Sequence, residues 1–286
     1  MIGAPLVDVP RISAPTWFCF VVIQSEMMDS AADSDPFGPF EIADWRVLET
    51  VDGRSSCPKC AKSRKYFCYT CYVPVTELEG KIPKLKLPIK VDIIKHAKEI
   101  DGKSTSAHAA VLAPEDVTIY TFPCIPDYEQ DKETIVLVFP GKEAVTVEEF
   151  LSQESQSSNQ SGQKRPAESS KRKIDRAIFI DSTWNQCKGI FKDPRLKDLP
   201  CVVLKARITQ FWRHQEGSPR WYLATVEAIH QLLLELDAAD PEAKRPKTNS
   251  VGHRFDDLLF FFRFMYDKIH TLYDHEKLKS YKRPLK

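Results

Sequence analysis

The sequence predicts an α/β fold in which helices cover both faces of a mostly parallel sheet, preceded by a small cysteine-bearing module. Three observations carry this. Short apolar runs at residues 177–180 and 201–204 have the length and composition of buried strands. They alternate with segments of helical period, the clearest being Phe255, Leu258, Leu259, Phe262, Met265, Tyr266 and Ile269. Such alternation builds a parallel sheet with two covered faces. Ahead of it stand two Cys-x-x-Cys pairs, Cys57/Cys60 and Cys68/Cys71.

The 286 residues suffice for one large domain or two small ones, and the net charge is only +1. A nucleic-acid surface would therefore have to be local. No apolar run is long enough for a bilayer, so no membrane association is expected. Residues 17–23 are short, with only Arg11 as preceding positive charge, so no signal peptide is expected.

In chain order, residues 1–54 form an acidic leader, expected to be largely disordered apart from a short helix around 42–51. Residues 55–82 hold the cysteine pairs. Two knuckles complete a tetrahedral Cys₄ shell, and a fully ligated ion has no open position for catalysis. Structural zinc on Cys57, Cys60, Cys68 and Cys71 is the expectation. Clustering of four of the eight cysteines fits a metal site in a reducing compartment better than a disulfide framework. Lys59, Lys62, Arg64 and Lys65 alternate there with Tyr66, Phe67, Tyr69 and Tyr72. That pattern suits phosphates and unpaired bases, and suits equally a solvated surface around an aromatic core.

Residues 87–94 predict a strand, followed by Lys95, His96 and Glu99 and then the polar loop 101–106 with Lys103, Ser104 and Thr105. The loop lies between strand and helix, where backbone N–H groups receive anions, but it lacks P-loop spacing. A lone His96 is more often structural than catalytic. A helix at 107–112 and strands at 117–122 and 134–139 follow, the last ending at Pro140-Gly141. Residues 152–175 are Ser/Gln-rich and predict a flexible insert within the domain 83–273. Its basic clusters, Lys164-Arg165 and Lys171-Arg172-Lys173, fit a nuclear import signal or a solvated linker. The strand at 177–180 ends on Asp181-Ser182-Thr183-Trp184. An acid at the carboxyl end of such a strand either caps the next helix or faces a ligand crevice. After the strand at 201–204, a helix opening within 218–227 buries Val226, Ile229, Leu233 and Leu236. Pro241 stops it and a second polar insert occupies 243–250. Residues 274–286 make a basic tail.

Taken together, Cys57–Cys71, Ile93-Ile94-Lys95-His96, Asp101-Gly102-Lys103-Ser104-Thr105, the segment 119–126, Phe139-Pro140-Gly141, the segment 180–186, the segment 211–215 and the segment 225–229 resemble the DTW-domain family over about residues 55–273. The similarity is greatest to its eukaryotic tRNA-uridine aminocarboxypropyltransferase branch. The family's D-x-T-W is matched by Asp181, Thr183 and Trp184. The resemblance implies a SPOUT-type α/β domain, a relative of deep-knotted methyltransferases, in which any knot would lie in the C-terminal half. It implies transfer of the 3-amino-3-carboxypropyl group of S-adenosylmethionine to N3 of a uridine in the tRNA D-loop, with methylthioadenosine as by-product. Asp181 would then remove or position the N3 proton. Trp184 and Thr183, Pro140, Arg207 and Arg213 would line the donor pocket, with an arginine fork on the donor carboxylate. Lys62, Arg64, Lys65 and Lys103 would meet tRNA phosphates, and no feature calls for an obligate protein partner. Two alternatives remain at this stage: an RNA methyltransferase of the same fold, and a non-catalytic zinc-ribbon RNA-binding adaptor.

Overall fold

The computed structural model describes residues 22–23, 35–130, 132–153, 172–214, 218–239 and 253–282. Five main strands are β1 (Lys90–Lys95), β2 (Val117–Thr121), β3 (Ile135–Val138), β4 (Arg176–Asp181) and β5 (Cys201–Lys205). They lie in the order β5-β3-β4-β1-β2, every pair parallel. Two-residue strands Val22–Ile23 and Val145–Thr146 add to β5, also in parallel. The helices are α1 (Ser106–Leu112), α2 (Val147–Ser152), α3 (Trp184–Phe191), α4 (Thr225–Ala239) and α5 (Phe260–Leu272).

Pleating divides the strand side chains between two cores. Val91, Ile93, Val136, Val138, Ala177 and Phe179 face a core shared with α1, α2 and α4. Ile94, Ile135, Leu137, Ile178 and Ile180 face the opposite core, which takes Cys187 and Ile190 from α3. Both faces of the sheet are therefore covered, and this is why the central strand β3 and the middle of β4 are apolar at every position, whereas the edge strand β2 keeps exposed threonines. Each predicted strand is present, with no end shifted by more than three residues. The predicted last helix begins as a short 3-10 turn, Asp256–Leu259, before the α-helix proper. Phe261 and Phe264 leave the main core for a third cluster with Leu48, Val75 and Leu78. The last helix is therefore packed on two sides.

Two boundaries of the sequence reading change. Residues 35–54 of the leader are part of the folded body. Phe37 is buried against Phe262 and Tyr266, with ring centroids 6.1 and 5.0 Å apart. Leu48, on the 3-10 turn Trp45–Thr50, is fully buried, and the backbone N–H groups of Glu41 and Ala43 donate to Asp256 and Asp257 at 2.9 and 2.7 Å. The acidic composition of the leader hid these few apolar anchors. The tail also folds back as far as residue 282. The His275 ring stacks on Tyr281 at 4.2 Å, and the Tyr281 hydroxyl donates to the Gln210 carbonyl at 3.1 Å. The basic clusters at 164–165 and 171, most of the insert, and the second polar insert lie outside the described residues.

Candidate functional site

Asp181 is the last residue of β4, paired in register with Lys95 at the end of β1. It thus lies at the carboxyl edge of the sheet, where such sheets place their crevices. It is fully buried. The Ser104 hydroxyl donates to its Oδ2 at 2.5 Å, and the Thr225 hydroxyl donates to its Oδ1 at 3.2 Å. One carboxylate therefore fastens together β4, the loop 101–105 and the first residue of α4. Burial pushes its pKa up, while the hydroxyls and the nearby Lys95 ammonium oppose that shift.

The loop is built by its own side chains. The Ser104 and Ser106 hydroxyls are 2.7 Å apart, and Ser104 also accepts the Ser106 N–H at 3.0 Å. The Thr105 hydroxyl accepts the Val226 N–H at 3.2 Å, capping α4 from a distant part of the chain. Ser104 and Thr105 are buried and occupied in this way. They are not available to grip a tRNA backbone, which leaves Lys103 as the exposed side chain of that trio.

The strand end carries a second acid. Glu99 follows β1 in a turn closed by its own N–H, which donates to the His96 carbonyl at 2.9 Å. It is 7 % exposed, and its Oε1 has no hydrogen-bond partner. Burial and the charge of Asp181 push its carboxyl up to about 8, against the pull of Lys95 and Lys103. His96 contributes its backbone N–H to the Asp181 carbonyl at 3.2 Å, and its ring Nδ1 accepts the Lys98 N–H at 3.1 Å. The ring is held locally and makes no contact with either carboxylate.

The other predicted residues separate into groups. Thr183 is the N-cap of α3, its N–H donating to Gln186 Oε1 at 3.2 Å, so this motif residue starts a helix. Trp184 is the first residue of that helix. Pro140 lies in the tight turn after β3, where a Cβ on Gly141 would come within 2.8 Å of Cys201 Sγ. Only glycine fits there, and the turn is fixed against β5. Arg207 lies 3.0 Å from His230 Nδ1 and 3.8 Å from Glu227 Oε1. His230 in turn faces Asp256 Oδ1 at 2.8 Å and is pushed down to about 4, chiefly by burial. Arg207 therefore belongs to a buried internal network. Arg213 is exposed and makes no salt bridge among the described residues. It is the better candidate for a donor carboxylate.

The four cysteine sulfurs lie within 4.8 Å of one another, with Cys60 and Cys68 at 3.7 Å. A tetrahedron of thiolates about 2.3 Å from zinc has edges of about 3.8 Å, so the set fits such an ion. In each knuckle the residue after the second cysteine turns left-handed, Ala61 at φ 56° and Tyr72 at φ 54°. Its N–H bonds back to the first cysteine carbonyl at 2.9 and 2.8 Å. Arg64 is 6 % exposed. Its Nε donates to Cys68 Sγ at 3.4 Å and its guanidinium lies 3.9 Å over the Tyr69 ring. It braces the knuckle and has no face left for phosphate, which corrects the reading of Arg64 as a tRNA contact. Lys62 and Lys65 are exposed. The Tyr69 ring lies 3.5 Å from where a Cβ on Gly102 would sit, so the module packs on the loop that holds Asp181.

Sequence reasoning missed Glu99 and Thr225. Both stand in quoted segments, yet neither spacing nor residue type marks them. Only the fold brings positions 44 and 77 residues from Asp181, Thr225 and Ser104, onto one carboxylate.

The DTW domain model matches residues 65–270, which include Glu99, the 101–105 loop, Asp181 and Thr225 but begin after Cys57 and Cys60. A protein named tRNA-uridine aminocarboxypropyltransferase 1 in Xenopus tropicalis is 43% identical over 251 residues, covering 79% of this chain and 83% of that protein. Proteins of the same name in Homo sapiens and Mus musculus are 41% identical over 276 residues and 40% identical over 263. These matches cover 87% and 83% of this chain, and 89% and 84% of those proteins. No solved structure matches the chain.

Proposed function

The chain belongs to the DTW-domain family, and on that premise we propose that it is a tRNA-uridine aminocarboxypropyltransferase. The observation that carries the reading is the placement of the family's Asp181 at the carboxyl edge of the sheet, tied to two further elements inside the matched region. The donor in this reading is S-adenosylmethionine, which supplies an aminocarboxypropyl group on a good leaving sulfur. One feature of the residues suits such a donor. Asp181 and Glu99 concentrate buried acid at one edge of the sheet, and a sulfonium with an α-ammonium carries two positive charges.

The acceptor in the proposal is N3 of a D-loop uridine. Asp181 acts as a positioning residue, since both its oxygens are occupied by hydroxyls. It fixes the 101–105 loop and the start of α4 so that groups around them keep their geometry. Arg213 holds the donor carboxylate. Exposed Lys62, Lys65 and Lys103 supply backbone attraction to tRNA without reading sequence. The basic clusters near 164–173 direct the protein to the nucleus, and deletion of 152–173 should leave turnover intact and reduce nuclear accumulation in imaged cells.

Purified protein, unmodified tRNA and S-adenosylmethionine should yield, after nuclease digestion, a uridine heavier by the aminocarboxypropyl group. A methyl adduct would make the protein a methyltransferase of the same fold. Failure to bind the donor, read as an unchanged melting temperature, would leave the RNA-binding adaptor.

A further inference from the structure

We infer that Glu99 is the group that takes the proton from the acceptor nitrogen, with Asp181 the fixed charge that tunes it. The inference rests on the aminocarboxypropyl-transfer reading above. Buried side-chain oxygens are nearly always hydrogen-bonded, and one left over needs a reason. The Glu99 Oε1 atom has no partner, although the side chain is more than nine-tenths buried. It stands at the carboxyl edge of the sheet, in the turn that follows β1, the strand alongside Asp181.

The two acids differ in one way that assigns their roles. Asp181 has its two oxygens filled by Ser104 and Thr225. Accepting a proton from substrate would require breaking that clasp. Glu99 can accept one on an oxygen that nothing holds. The charged groups that face Glu99 are Asp181 from β4, Lys95 from β1 and Lys103 from the loop. Burial and Asp181 raise its carboxyl to about 8. A base is most effective when its pKa lies near the working pH. A cationic donor bound nearby would lower that value, since opposite charge favours the ionised acid. The base is then ionised when the donor is in place and largely protonated when it is not.

The step balances as follows. The Glu99 carboxylate accepts the proton of uridine N3. The nitrogen electron pair forms the N3–C bond to the aminocarboxypropyl γ-carbon. The C–S bond breaks with its pair passing to sulfur, and neutral methylthioadenosine departs. Glu99 then returns its proton to water. No oxidant or second metal is required.

The test uses the full-length protein with Glu99→Gln, and with Glu99→Asp as a second variant that keeps an acid. Binding of S-adenosylmethionine is measured by calorimetry in two buffers of different ionisation enthalpy at about pH 7.5. Wild type should release protons on binding, Glu99→Gln should release none, and its donor affinity should fall a few-fold, by the same coupling that releases the proton. With tRNA, kcat should rise with pH to a plateau in wild type. Glu99→Gln should lose about 10²–10⁴-fold in kcat and show no such rise, the usual worth of a positioned base. Glu99→Asp should keep the pH dependence at reduced rate. A Glu99→Gln enzyme whose loss lies wholly in KM for the donor, with the pH profile intact, would overturn the inference and make Glu99 an ammonium ligand. An unaltered kcat would overturn it as well. Absence of any aminocarboxypropyl product from wild type would overturn both this inference and the activity it rests on, whereas product from wild type with an unchanged Glu99→Gln profile would overturn only the former.

Discussion

Asp181 and the hydroxyls around it behave as one unit, so its substitutions should separate shape from charge. Asp181→Ala leaves the Ser104 and Thr225 hydroxyls buried without their acceptor. Each unpaired hydroxyl costs about 1–3 kcal/mol, and the melting temperature should fall by several degrees. Asp181→Asn keeps the volume and one acceptor, so it should fold with a smaller loss while turnover drops at least about tenfold. It should also move the break in the pH–rate profile to lower pH, because the Asp181 charge is one of the two causes that raise Glu99. Glu99 has a stability signature as well. Its carboxyl is raised from 4.5 to about 8 on folding, so between those values the native state holds a proton that the unfolded state has lost. Stability must therefore fall as pH rises from about 4.5 to about 8 and level off above it. Glu99→Gln should flatten that decline, as read by chemical denaturation at a series of pH values.

At the scale of the element, the cysteine module is a support for the site. A closed Cys₄ shell contributes folding free energy. Cys60→Ser or a strong chelator should reduce zinc content, lower the melting temperature and slow turnover together, because Tyr69 packs on Gly102 beside the Asp181 loop. Metal content equal to wild type in Cys60→Ser would rule out that site. The knuckles also store strain. Ala61 is exposed and held at φ 56°, a conformation that costs an L-residue about 1–2 kcal/mol. Ala61→Gly should raise stability by about 0.5–1 kcal/mol, the smaller figure allowing for the freer unfolded chain. The equivalent change at Tyr72 should destabilise, since that ring packs between two cores.

At the scale of the whole molecule, the segment at residues 35–54 closes the body. Phe37 packs on α5, and Arg263 of that helix forms an ion pair with Asp35 and lies 4.8 Å over the Phe37 ring. Phe37→Ala should cost about 3–5 kcal/mol through the cavity it leaves, measured by urea denaturation. Removing residues 35–54 should cost more than that, and should weaken the Arg207–His230–Asp256 network that Glu41 helps to hold. A truncation with unchanged stability would show that the segment is an ornament on the fold.

The sequence by itself determined the elements and the family. Strands 177–180 and 201–204 were legible because a strand buried on both faces must be apolar at every position. The cysteine knuckles were legible because two Cys-x-x-Cys pairs satisfy a tetrahedral shell almost locally. The D-x-T-W string identified the acid at the strand end, since a motif is contiguous text. What the acid touches was decided only by the tertiary structure. Ser104, Thr105, Thr225 and Val226 are distant in sequence and of ordinary types, and parallel strands with crossover helices are what bring their loops to one edge. The same holds for the exclusions. Arg64 and Arg207 resembled free cations in the sequence, and their burial against Cys68 and His230 became visible only in the packed chain. Glu99 is the clearest case. Its chemistry depends on burial, on a missing partner and on a like charge from a neighbouring strand, and none of these is a property of residue order.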